Sequence, residues 1–335
     1  MWQEYLYPET VREAVDLLAE WSGQARIVAG GTDLVLQLKR GERQAACLID
    51  ISRIEEMRGI EESNGTITLG AAVTHTEAAA SPLVRRVAPV LAQAAMEVGS
   101  PEIRNVATIG GNVVNAQPAA DTALALLALE AEAEVMGAGG TRWVPLLDLY
   151  QGAGASAVDS TAEVVCRFRF KVPTGQVGSA YRRLGKCKSI ALPVLCAATI
   201  VRLEGDQVVS AAIGLGPVAP VPFRPTEAER WLAGQPATSE TVKQAAALAQ
   251  QEAQPRTACC DAPGNTGRRW WACWCKVPWH RPSQRQTGHR EAPDEADDAR
   301  EWTASFGGSG ARCHAGGCTA RAVGPAGRQG WLRRG

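Results

Sequence analysis

The chain has 335 residues with 35 basic and 35 acidic side chains, so nothing in its charge balance points to nucleic acid or an anionic membrane. The opening MWQEYLYPET holds acids where a secretory leader would hold an apolar core, and the longest apolar run, TALALLALEA (122–131), is about half a membrane span. The expectation is a soluble cytoplasmic protein with no membrane span, long enough for two or three modest domains.

In chain order, TVREAVDLLAEW (10–21) reads as an amphipathic helix with Thr10 as its N-cap and Glu13 completing a capping box. Val11, Ala14, Val15, Leu18 and Trp21 form its inner stripe. ARIVA (25–29) reads as a buried strand running into Gly30 and Gly31, TDLVLQLKRG (32–41) as a short helix, and CLIDI (47–51) as a further strand. TITLGAAV (66–73) alternates like a strand. Residues 81–99 are predicted to form one long helix with Ser81 at its cap and Pro82 in its first turn. A loop over 100–121 leads into an apolar helix at 122–130. From 163 onward the pattern changes to strands (VVCRFRF, SAYRRL, LPVLCAATIVRL, VVSAAIGLG), followed by helices at 226–233 and 238–252. The Gly-rich stretches 152–156 and 173–178 are candidate linkers.

Residues 259–335 differ from the rest. They hold six of the ten cysteines and six of the ten tryptophans, with almost no Ile, Leu or Val and no helical or strand period. A metal site would need better spacing than Cys273-x-Cys275 with His280, or Cys313 and His314 with Cys318. A nucleic-acid stacking platform would need a patterned basic groove, which is missing. The genetic code offers a third reading. Taken from the third base of each codon, CCDAPGNTGRRWWACWCK (259–276) becomes an Arg-rich turn and then an ordinary apolar helix. The tail therefore reads as out-of-frame translation beginning near 256–259, without a core of its own.

Two loops carry the candidate chemistry: AGGTD (29–33) after a strand, and TIGGN (108–112) before an apolar segment. Paired glycines let backbone N–H groups approach a ligand, and successive N–H groups form anion nests. Thr32, Thr108 and Asn112 add side-chain donors, and two such loops would hold a diphosphate from both sides. Taken singly, each loop reads equally as a tight turn. Neither is G-x-G-x-x-G, so a Rossmann site is not indicated.

RIVAGGTDLVLQLK, LIDIS, GSPEIRNVATIGGNVVNAQPAADTALALLAL and YRRLGKCKSIALPVL, in this order, resemble the flavin subunit of the molybdenum hydroxylases, the xanthine dehydrogenase and carbon monoxide dehydrogenase family. The resemblance spans roughly residues 1–255, and the re-read tail is similar to that family's C-terminal helix.

It implies an α+β architecture, an FAD-binding fold of vanillyl-alcohol-oxidase/PCMH type in two subdomains (1–57 and 58–173), then a small α+β C-terminal domain (174–258). It places Ile27, Val28, Ala29, Gly30, Gly31, Thr32, Asp33 and Leu34 along the diphosphate and adenine side of FAD. Thr108, Ile109, Gly110, Gly111, Asn112 and Asn115 would form a second clamp. Asp121 would take a ribityl or ribose hydroxyl, cap the helix that follows, or both. Leu184 and Lys186 match positions near the flavin ring, although a surface lysine reads as well, and Tyr181 would either shield the ring or pack in its strand. No residue is implied to be catalytic, and no metal ligand is assigned. His75, after a strand rather than beside a glycine loop, argues against a histidyl-linked flavin.

The implied partners are a molybdenum-cofactor large subunit, a [2Fe–2S] small subunit, and NAD or another acceptor. GSPEIRN and MWQEY lean toward the xanthine and purine branch; the alternatives are the flavin subunit of a carbon monoxide or aldehyde dehydrogenase, or a stand-alone flavin reductase. A non-catalytic module using the Cys/Trp tail is the rival from outside the enzymes.

Overall fold

A computed structural model describes residues 2–185 and 193–253; the anomalous tail 259–335 and Lys186 lie outside the described residues. The first layer is a three-stranded parallel sheet of β1 (Glu4–Leu6), β2 (Ala25–Val28) and β3 (Cys47–Asp50), in the order β1–β3–β2. Parallel neighbours need crossovers. Two helices supply them, α1 (Val11–Glu20) and α2 (Leu34–Lys39). α1 buries Val11, Ala14, Val15 and Leu18, the expected stripe at three- and four-residue spacing. Thr10 accepts from the Glu13 N–H at 3.1 Å, but the Glu13 carboxylate accepts from the Glu9 N–H at 2.7 Å instead of that of Thr10. The expected capping box is therefore displaced by one residue.

The second layer is a five-stranded antiparallel sheet ordered β4–β5–β10–β6–β7. Its strands are β4 (Ile60–Ser63), β5 (Thr66–Gly70), β6 (Glu132–Gly137), β7 (Gly140–Pro145) and β10 (Glu163–Lys171), and a small ribbon of β8 (Tyr150–Gly152) and β9 (Ala155–Ser156) precedes β10. Six helices run between β5 and β6: α3 (His75–Ala80), α4 (Pro82–Val87), α5 (Pro89–Glu97), α6 (Pro101–Arg104), α7 (Ile109–Val114) and α8 (Asp121–Ala128). Two expectations fail here. The helix over 81–99 breaks at Ala88 (φ −140°, ψ 58°), because Pro89 has no N–H and excludes the helical region for the residue before it. The loop 100–121 contains α6 and α7, started by the hydroxyls of Ser100 and Thr108. All of α8 is buried.

The third layer is an antiparallel meander of β11 (Gln176–Gly185), β12 (Pro193–Glu204) and β13 (Gln207–Gly216). α9 (Thr226–Leu232) and α10 (Ser239–Glu252) form a core with its strands around Val201, Ile213, Leu215, Leu232 and Ala249. Buried Glu229 accepts from the Ile213 N–H at 2.7 Å and pairs with Arg224 at 2.9 Å, which satisfies its charge. α5 and α8 pack on this layer and share a core with the second sheet. Among the described residues no helix is long and apolar enough to cross a membrane.

Candidate cofactor-binding cleft

The two glycine loops lie about 78 residues apart in sequence and side by side in space, and two glycines make this possible. A Cβ on Gly30 would stand 2.0 Å from the Val106 carbonyl oxygen, so the first loop rests directly on the backbone leading into Thr108. A Cβ on Gly110 would stand 2.7 Å from the Ala71 Cβ, so α7 rests directly on the end of β5. Between and beyond the loops is a cleft of about 630 Å³, within the range of cofactor pockets, whose far wall comes from the β8–β9 ribbon and the start of β10.

The loops are chemically unlike. In the first, Gly31 sits at φ +66° and Asp33 makes no side-chain cap at the start of α2. Among the described residues the N–H groups of Gly30, Gly31, Thr32 and Asp33 have no hydrogen-bond acceptor. Four successive free donors beside a cleft form an anion nest.

The second loop is not a nest, contrary to expectation. Four of its five N–H groups are used internally: Ile109 donates to Val73 O at 2.9 Å, Gly110 to Ala71 O at 2.8 Å, Gly111 to Thr108 Oγ1 at 3.0 Å and Asn112 to Thr108 O at 3.0 Å. What it offers is amides. Asn112 Oδ1 accepts from the Thr122 hydroxyl at 2.7 Å and the Ala123 N–H at 3.2 Å, which fixes the amide and leaves its NH2 as a donor. Asn112 and Asn115 both line the cleft.

Of the sequence-predicted residues, Ile27 to Leu34, Thr108, Gly110, Gly111, Asn112 and Asn115 line this cleft, whereas Ile109 is fully buried behind it. Asp121 and Leu184 do not line it. Leu184 packs with the C-terminal core. Asp121 makes no cap for α8; its carboxylate accepts from the buried Tyr181 hydroxyl at 2.5 Å, with Arg183 at 3.6 Å. A buried phenol needs an acceptor, and that need outweighs the cap. Burial pushes the Asp121 carboxyl up, opposed by Tyr181 and Arg183. Tyr181 is packed between the helices and the third sheet, its own N–H donated to Gln93 at 2.8 Å.

The separation expected for His75 does not hold. Its N–H donates to the Ala107 carbonyl at 3.1 Å, Thr74 bridges Thr108, and the ring lines the cleft beside the second loop. The side chain is 1% exposed and its Nδ1 has no partner among the described residues. Burial, with Arg104 adding to it, pushes the imidazole down to about 4, so it is neutral at ordinary pH. Arg26 and Arg43 also line the cleft and were not anticipated from sequence.

Residues 2–174 match the family described as the FAD binding domain in molybdopterin dehydrogenase, and residues 179–262 match the CO dehydrogenase flavoprotein C-terminal domain. The xanthine dehydrogenase FAD-binding subunit of Escherichia coli O157:H7 is 30% identical over 250 residues, 74% of this chain and 85% of that protein. The carbon monoxide dehydrogenase medium chain of Hydrogenophaga pseudoflava is 34% identical over 243 residues, 72% of this chain and 84% of that one. In a solved structure of carbon monoxide dehydrogenase from Hydrogenophaga pseudoflava, which lacks the Mo-pyranopterin moiety of the molybdenum cofactor, one chain superposes with a TM-score of 0.77 at 31% identity. That match covers 82% of this chain and 95% of that one.

Proposed function

The chain belongs to the molybdopterin dehydrogenase flavoprotein family, and from that premise we propose that it is the FAD-carrying electron-transfer subunit of a xanthine- or purine-type molybdenum hydroxylase. The observation that carries the reading is the run of four N–H groups at Gly30–Asp33, without acceptors among the described residues, on the same cleft as the amides of Asn112 and Asn115. A diphosphate fits this donor set: the nest would donate to its oxygens, and the two amides would add donors beside it. Ile27 and Leu34 supply apolar wall that excludes water from these hydrogen bonds. FAD supplies a carrier that takes two electrons and also passes single ones. By resemblance, Asp121, Leu184 and Lys186 belong to the ribityl and ring end. The third sheet, where Leu184 lies, would complete that end.

A division into 1–57, 58–173 and 174–258 is supported by the three larger sheets, whose strands fall within 4–50, 60–171 and 176–216. A molybdenum-cofactor subunit would oxidise substrate, a [2Fe–2S] subunit would relay the electrons, and NAD or another acceptor would receive them, all in the cytoplasm. GSPEIRN and MWQEY support the xanthine branch over the carbon monoxide branch, and substrate contacts would lie on the large subunit. Titration of the full chain with FAD, followed by flavin fluorescence quenching, is expected to show saturable one-to-one binding, and purines are expected to go unoxidised by the chain alone. Absence of FAD binding would overturn the cofactor assignment, and purine turnover by the isolated chain would overturn its role as a subunit.

A further inference from the structure

Arg26 and Arg43 line the cleft that holds the nest, but the diphosphate does not account for them. Arg26 is the second residue of β2, and the nest begins just past the strand's end. Up to roughly 13 Å of extended chain therefore separates Arg26 from Gly30, more than a diphosphate spans. Arg26 faces what the diphosphate is attached to.

The surroundings of Arg26 are incomplete. Among the described residues its Nε is buried without a partner, and its one side-chain hydrogen bond is a long 3.4 Å contact from Nη1 to the Ser160 hydroxyl. Asp159 is close by, but its carboxylate is held by the N–H and hydroxyl of Thr161 at 2.9 and 2.6 Å. Burial and then the charge of Arg43 lower the guanidinium of Arg26 below its ordinary range. Arg43, on the exposed segment after α2, makes no ion pair among the described residues. Two cations held together in a cleft repel unless a ligand separates them. A planar guanidinium can donate in pairs to phosphate oxygens and stack on a purine face. Ile27 and Val158, on the same cleft, provide apolar wall for a flat base. Leu184 packs in the C-terminal core and Asp121 is held by Tyr181, and neither lies on the cleft wall beside Arg26, so this end of the cleft is not the one they mark.

We propose that Arg26 and Arg43 form an adenylate clamp, gripping the AMP half of the cofactor and so selecting the flavin dinucleotide over the mononucleotide. The proposal rests on the reading that the cleft takes FAD.

The test is calorimetric titration of the full chain with FAD, FMN and ADP. The wild type is expected to bind FAD at least roughly tenfold more tightly than FMN, and to bind ADP measurably. The double variant Arg26→Gln with Arg43→Gln should lose ADP binding and at least roughly tenfold in FAD affinity, with FMN affinity within about twofold. Unchanged FAD and ADP affinities in the double variant would overturn the clamp. Equal wild-type affinities for FAD and FMN would do the same, while failure of the wild type to bind FAD would instead overturn the reading of the cleft. If the double variant does not fold, Arg43→Gln at its exposed position and Arg26→Lys, which keeps charge but loses the planar fork, carry the test. Each is expected to weaken ADP and FAD and spare FMN, and unchanged ADP and FAD affinities in both would be equally fatal to the clamp.

Discussion

AGGTD and TIGGN look alike in sequence, yet the cleft uses them in opposite ways. Among the described residues the N–H groups of Gly30 to Asp33 in the first loop have no acceptor; in the second, those of Ile109 to Asn112 are all bonded to the protein. Their glycines differ as well. Gly31 is there for a left-handed backbone at φ +66°, whereas Gly110 is there because Ala71 leaves no room for a Cβ. A paired glycine shows that something comes close. Whether that something is a ligand or another part of the chain depends on partners far away in sequence.

The largest effects should come from the packing glycines, and they should be effects on folding. Gly110→Val and Gly30→Val place atoms inside Ala71 and the Val106 carbonyl, and overpacking of this kind costs about 3 kcal/mol or more. Urea unfolding is expected to show this loss whether or not FAD is present. Native-like stability in either variant would mean the loops do not abut as described.

Gly31 should behave differently. A Cβ at φ +66° adds about 1–2 kcal/mol of backbone strain, and relaxing it tilts the nest away from the phosphates. Loss of two charge-assisted bonds at roughly 1.5–3 kcal/mol each predicts at least about a hundredfold weaker FAD binding for Gly31→Ala. By contrast a Cβ on Gly111 meets only Thr108 Oγ1, at 3.1 Å, and Gly111→Ala should change FAD affinity by less than about threefold. Equal losses in the two variants would erase the distinction between the loops.

His75 allows the second loop to be probed through pH. Its imidazole titrates near 4 in the folded chain against about 6.5 unfolded. Between those values the unfolded chain takes a proton that the folded chain refuses. Stability contributed by the neutral ring is therefore complete above about pH 6.5 and declines as pH falls toward 4, by up to about 3 kcal/mol. Unfolding measured at pH 7 and pH 5 should show the decline, and His75→Gln should flatten it. A variant that keeps the wild-type slope would place its cause elsewhere.

What could be read from the sequence was what neighbouring residues decide. α1, its Thr10 cap and the strand entering Gly30 follow from periodicity and capping within a dozen residues. The break at Ala88 also had a local cause in Pro89, but the apolar pattern continues across it and hides the interruption. α7 was missed because a Gly-Gly pair lowers helix propensity, and the Thr108 cap together with the close fit against Ala71 compensates. The partner of Asp121 lies sixty residues away at Tyr181, and that of His75 thirty-two away at Ala107, so neither could be seen from spacing.

The order β1–β3–β2 leaves β2 as an edge strand, with Arg26, Ile27 and Val28 on the cleft wall. An open edge is a template on which a second chain can add a strand. Four residues is short, and a buried-stem arginine at its second position blunts it further. The strand that leads into the nest is therefore also an edge at which an empty cleft is open to self-association. Arg26→Val, by removing the charge, would favour β-mediated oligomers that a filled cleft suppresses.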